Sequence, residues 1–127
     1  MMEFRLEGIV ETGFGMAASS LAPIQDVIRQ RSGLDLVEGT LNVRLEEPYI
    51  VIPDIVFEGA HHGHHESLLL QHCRIGDAPG LIVRTSTQAA GDSHPLEVIE
   101  IMCVERLRTT RGLADGDRVI IEVARRV

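Results

Sequence analysis

Apolar and polar positions along this chain alternate in short bursts broken by glycine-rich turns. Across residues 3–11, Phe4, Leu6 and Val10 fall on one side of an extended chain, and Glu3, Arg5, Glu7 and Glu11 on the other. That period of two predicts a strand with one wet face. Thr12-Gly13-Phe14-Gly15 interrupts it, after which Leu21, Ile24, Val27 and Ile28 recur at helical spacing. Pro23 suits the first turn of that helix and Gly33 its C-terminal stop. Alternation returns over residues 40–45, with Leu41, Val43 and Leu45 pointing one way. Residues 49–52 form a short apolar stretch that Pro53 ends or marks as a sheet edge.

The second half continues the pattern. Residues 67–75, 81–84 and 97–104 are strand candidates, and residues 57–66 form a loop rich in Gly and His. The polar loop at residues 86–95 is long enough to carry function. A short helical turn near residues 106–111 leads to Asp115-Gly116-Asp117, a tight turn into a last strand where Val119, Ile121 and Val123 alternate. Six or so short strands with one helix predict a mainly β protein, a small closed or nearly closed barrel. At 127 residues the expectation is one domain, because two would each struggle to build a core.

Composition narrows the function. The chain is 44% hydrophobic and 24% charged, a globular balance, with only 3% aromatic residues and no Trp. The core must therefore be aliphatic, and a base-stacking nucleic-acid surface lacks its rings. A formal net charge of -7 argues against non-specific binding to polyanions. It leaves room for a single nucleotide held by local amides and a metal. No apolar run approaches the roughly 20 residues that span a bilayer, and Met-Met-Glu-Phe-Arg lacks the apolar core of a signal peptide. The expectation is a cytoplasmic protein with neither membrane nor nucleic acid as partner. Cys73 and Cys103 each sit alone in an apolar run and read as buried free thiols.

Five features carry candidate chemistry. In Gly39-Thr40-Leu41-Asn42-Val43 the residues two apart share a face, so Thr40 and Asn42 project together away from Leu41 and Val43. Their oxygens suit Mg²⁺ carrying phosphates; the same spacing also describes an ordinary polar strand face. Residues 8–15 run from a strand into a glycine turn, where backbone N–H groups approach phosphate closely or simply reverse the chain. Glu100, inside Val98-Ile99-Glu100-Ile101-Met102, is a carboxylate that must be paired, exposed on one face or functional. Arg108 is a cation for phosphate or an exposed surface residue. The run His61-His62-Gly63-His64-His65 is either a transition-metal site for Zn²⁺ or Ni²⁺ or a solvated loop.

Taken in order, these pieces resemble the archaeal-type CTP-dependent riboflavin kinase family over nearly the whole chain. The resemblance rests on Gly8-Ile9-Val10-Glu11-Thr12-Gly13-Phe14-Gly15, Glu38-Gly39-Thr40-Leu41-Asn42-Val43, Leu81-Ile82-Val83-Arg84, Val98-Ile99-Glu100-Ile101, Leu107-Arg108, and Gly112-Leu113 through Asp115-Gly116-Asp117. It implies a six-stranded cradle-loop (RIFT-like) barrel with one or two short helices. The implied enzyme is a phosphotransferase that moves the terminal phosphoryl group of CTP to the 5′-hydroxyl of riboflavin, giving FMN. It further implies Thr40 and Asn42 as Mg²⁺ ligands, and Gly13, Phe14, Gly15, Met16, Ala17 and Ala18 as a nucleotide-wrapping loop. Glu105, Arg106, Leu107 and Arg108 match a second nucleotide-contacting segment, and Glu100 and Thr87 match flavin contacts. Ala17 replaces the family's third glycine, with Ala18 and Ser19 after it. Leu36 stands where a proline is usual, and the proline expected near Val104 is absent. The alternative is a protein of the same fold without kinase activity, using His61, His62, His64 and His65 to bind or sense a metal.

Overall fold

The computed structural model describes residues 2–13, 24–37, 39–58, 67–89 and 95–125. In chain order these form β1 (Met2–Glu11), α1 (Gln25–Ser32), β2 (Leu41–Leu45), β3 (Ile55–Phe57), β4 (Leu68–Ile75), β5 (Ala78–Thr85), α2 (Ser86–Ala89), β6 (Val98–Cys103), α3 (Leu107–Thr110) and β7 (Arg118–Arg125). The strands run antiparallel in the order β3-β4-β5-β6-β2-β1-β7, and β7 also pairs with β4. Six strands therefore close into a barrel. The short β3 lies beside the first half of β4, where β7 does not reach: Phe57 pairs Leu68, whereas Cys73 pairs Val123.

Alternation explains the barrel interior. Val10, Leu41, Val43, Leu45, Ile82, Ile99, Ile101, Val119, Ile121 and Val123 meet in one buried cluster. Cys73 and Cys103 belong to it as free buried thiols. They flank Gly80 in a single cross-strand row, and a Cβ on Gly80 would come 2.6 Å from the Met102 carbonyl oxygen. Burial pushes the Cys103 thiol up to about 12, and that of Cys73 higher still.

A second cluster covers the outside of β4, β5 and β6. Ile28 from α1 and Leu36 pack there on Phe57, Leu68, Leu70, Leu81, Val83 and Met102. Gly33 ends α1 at φ 74°, its N–H donating to Arg29 O at 2.9 Å, the left-handed stop expected of a glycine there. Arg29 fastens the following segment by donating from Nε and Nη2 to Leu36 O at 2.9 and 2.7 Å. Val27, expected on the buried face, is 44% exposed. The helix rests on the Ile24–Ile28 side instead, and Gln25 is buried beside it, its Nε2 donating to Leu36 O at 3.5 Å.

The apolar stretch at residues 49–52 is a strap across one end of the barrel rather than a ladder strand. Tyr49 and Val51 point inward while Ile50 and Ile52 face out. Two buried polar residues hold it. The Tyr49 hydroxyl donates to Gln71 Oε1 at 2.6 Å, and Arg84 donates to the carbonyls of Tyr49, Leu96 (2.6 Å) and Val98 (3.2 Å). Burial lowers the Arg84 pKa, yet three carbonyl acceptors keep the cation solvated by protein. The strand after Pro53 is β3, which the pattern did not announce. The polar loop begins as the single turn α2. No helix among the described residues is long and apolar enough to cross a membrane.

Candidate functional site

The other end of the barrel, where β1 ends and β2 begins, opens into a cleft of about 270 Å³ lined by Val37, Gly39, Thr40, Leu41, Ile101, Cys103 and residues 105–109. Gly39 supplies φ 92°, a backbone state that a glycine adopts without strain, and delivers Thr40 to the rim. Across from it, Leu107 plugs into the barrel cluster and anchors α3. The segment is braced at its far side: Arg111 donates to Glu105 (2.6 Å) and Asp77 (2.5 Å), and Thr110 donates to Glu105 (2.7 Å). The Arg111 guanidinium holds the carboxyls of both Glu105 and Asp77 below their usual range. Glu105 is therefore a brace of the cleft wall.

Arg108 is also engaged. Its Nη2 donates to Asp115 Oδ1 at 2.6 Å and to Glu11 O at 3.2 Å, while the Thr12 hydroxyl donates to the other oxygen of Asp115. Thr12 and Arg108 together keep the Asp115 carboxyl below its ordinary value. This latch ties α3 to the start of the glycine turn and to the turn that leads into β7. Arg106, exposed at the N-cap of α3, is the cation at the cleft whose side chain has no partner among the described residues.

The strand register brings the remaining predicted residues into line. Glu11, Asn42, Glu100, Val83, Leu70 and Ile55 are successive cross-strand partners on β1, β2, β6, β5, β4 and β3. They form one row on the outer face of the barrel, polar at one end and apolar at the other. Glu11 is paired with Arg44 at 3.0 Å. Glu100 is 8% exposed, and the Thr40 hydroxyl donates to its Oε1 at 3.1 Å. That bond has a chemical consequence: with its hydrogen committed to Glu100, the Thr40 oxygen keeps its lone pairs for a cation. Thr40 and Asn42, both half-buried, thus offer two hard oxygens beside the cleft, a donor set that fits Mg²⁺, which keeps most of its shell for water and phosphate. Thr40 is the hinge of the arrangement, since it lines the cleft and touches the row.

Of the residues singled out in the sequence, Gly13, Thr40, Asn42 and Glu100 come together, as do Glu105, Arg106, Leu107 and Arg108 along the cleft. Leu107 contributes as a core anchor. Thr87 lies in α2, with its side chain outside the described residues. Phe14, Gly15, Met16, Ala17 and Ala18 lie outside the described residues, as do His61, His62, His64 and His65. Among the described residues no three His, Cys, Asp or Glu side chains converge on a metal-sized site. Sequence reasoning missed Arg111 and the structural part of Asp115. The tight turn Asp115-Gly116-Asp117 was visible, but its partners lie 103 and 7 residues away, at Thr12 and Arg108.

Comparison with known proteins gives the chain its relatives. The family model CTP-dep_RFKase, described as domain of unknown function DUF120, matches residues 10–123. The riboflavin kinase of Pyrobaculum islandicum is 32% identical over 134 residues, covering 97% of this chain and 62% of the relative. That of Methanospirillum hungatei is 33% identical over 133 residues, covering 93% and 57%, and that of Pyrococcus furiosus 32% over 126 residues, covering 91% and 56%. The chain thus spans about three-fifths of the length of these curated relatives. With the barrel closed as expected and the family model covering nearly all of it, this chain belongs to the CTP-dependent riboflavin kinase family.

Proposed function

We propose that this single barrel domain is a cytoplasmic riboflavin kinase, with CTP and riboflavin as its small-molecule partners. The observation that carries the reading is the meeting at Thr40 of the cleft and the Asn42–Glu100 row. In the proposed reaction the riboflavin 5′-hydroxyl oxygen forms a bond to the terminal phosphorus of CTP. The bond to the bridging oxygen breaks, CDP leaves, and the hydroxyl proton is released. Phosphoryl transfer of this kind asks the protein mainly for positioning and charge neutralisation.

Each group has a task in that scheme. Thr40 and Asn42 hold Mg²⁺, which when bound neutralises phosphate charge. Glu100 keeps the Thr40 hydroxyl proton turned away from the metal, and with Thr87 it borders the flavin. Arg106 and the backbone of residues 105–108 receive the nucleotide phosphates, and the family resemblance gives Gly13, Phe14, Gly15, Met16, Ala17 and Ala18 a share in the loop that wraps them. Arg108 orders that loop's entry through Asp115 and Thr12. The net charge of -7 then matters little, because the cations act at short range inside the cleft.

The test is turnover by the purified chain with riboflavin and each of the four nucleoside triphosphates, with and without Mg²⁺, resolving FMN by chromatography. FMN formed with CTP ahead of the others, and lost on chelation, is the expected result. Folded protein that makes no FMN with any nucleotide would overturn the proposal.

A further inference from the structure

The glycine turn after β1 is the kind of element whose glycines are expected to let backbone approach phosphate. Gly13 carries a further local constraint. It is absent from the positive-φ glycines, which among the described residues are Gly33, Gly39, Gly76, Gly112 and Gly116. An L-residue at position 13 would therefore not be forced into the left-handed region. What it would meet is Asn42: a Cβ built on Gly13 overlaps Cγ, Nδ2 and Oδ1 of that one side chain. Gly8 and Gly80 differ. Their Cβ atoms would run into backbone, 2.6 Å from Arg44 O and 2.6 Å from Met102 O, so a side chain there would disrupt the sheet itself. At Gly13 the obstruction is the movable end of one side chain.

We infer that Gly13 is a positioning residue for Asn42: its missing side chain is the seat of the Asn42 amide, and it fixes the rotamer in which that amide oxygen serves the metal. The inference rests on the reading of Thr40 and Asn42 as Mg²⁺ ligands. The pair is then set from two sides, Thr40 by the carboxylate of Glu100 and Asn42 by the bare Cα of Gly13. A methyl group at position 13 displaces the ligand before it displaces the fold. Groups that orient a metal ligand tune affinity for the metal, typically by about ten- to a hundredfold.

The test is a double-mutant cycle on the whole chain with Gly13→Ala, Asn42→Ala and the pair together. Gly13→Ala alone should lower the thermal midpoint, and in the Asn42→Ala background the same change should cost nothing or raise it, because the overlap is gone and an alanine restricts the unfolded chain. The side-chain amide resonances of Asn42 should shift in Gly13→Ala without any ligand present. The Mg²⁺ concentration for half-maximal FMN formation should rise about tenfold or more, with KM for CTP at saturating Mg²⁺ changing less. Additive thermal shifts, unmoved Asn42 resonances and a main effect on KM for CTP would overturn the inference and return Gly13 to the phosphate. If Gly13→Ala does not fold, a folded double variant supports the coupling and an unfolded one contradicts it. A wild-type chain without kinase activity would remove the functional reading, while the thermal and resonance measurements still decide between a coupled and an uncoupled pair.

Discussion

The barrel has two walls that obey different rules. Along β7, β1 and β2 one face packs inward and the other meets water, so Ile9 and Ile120 remain 44% and 40% exposed and charges pair across the surface. Arg44 reaches Glu11, and Arg118 reaches Glu7 and Glu46. Along β4, β5 and β6 both faces are covered, the inner by the barrel cluster and the outer by α1 and Leu36. Every residue of β6 is buried. A carboxylate on the wet wall, such as Glu11, costs little; one on the covered wall, such as Glu100, has to be held by protein.

Asn42 stands at the seam, with Glu11 on one side and Glu100 on the other. A seam is a good place for phosphate chemistry. One flank is dry enough for charges to act strongly, and the other is open enough to admit a nucleotide. The cleft opens at the same seam, at the barrel end opposite the strap that Gln71 and Arg84 hold.

The largest expected effect that probes this contrast is in the covered wall. Leu70 is fully buried between β3, β5 and the outer cluster, so Leu70→Ala should cost about 2–5 kcal/mol in urea unfolding. A loss below about 1 kcal/mol would mean that the outer cluster is not a true second core.

An intermediate effect is expected where the cleft is braced. Glu105 and Asp77 titrate below their ordinary range in the fold, so their contribution is present above the unfolded carboxylate value and is lost as pH falls through the lowered one. Arg111→Met, which removes the cation holding both, should flatten thermal stability against pH below about pH 4.5. An unchanged acid limb would show that the pairing is spent against solvent. The smallest effect belongs to the wet wall: Ile120→Ala should stay within about 0.5 kcal/mol of the parent. A larger loss would erase the distinction between the walls.

How much of this was legible in the sequence follows from the same contrast. β1, β2 and β7 announced themselves because a one-sided strand alternates, and Gly33 announced the end of α1 by its conformation. On the covered wall the alternation vanishes, so the burial of Glu100 could not be read from Glu97 and its neighbours. Val27 looked like core because helical spacing alone does not say which side of a short helix finds the sheet. The strap at residues 49–52 is apolar for the reason a strand is, but its polar fastenings, Gln71 and Arg84, lie 22 and 35 residues beyond Tyr49. Thr40 and Asn42 were legible as co-facial oxygens. That Glu100 accepts the Thr40 hydrogen bond, and that Arg108 is spent on Asp115, depend on pairings 60 and 7 residues apart in the chain.

The seam at Thr40 and Asn42 is the proposed phosphoryl-transfer centre. The most direct measurement is Mg²⁺-dependent FMN formation by Thr40→Ala and Asn42→Ala, each checked for its thermal midpoint. Both side chains point away from Leu41 and Val43, which carry the packing. Both variants should keep a near-parental midpoint while turnover falls by about a hundredfold or more. Near-normal turnover in both, from protein equally folded, would contradict that assignment.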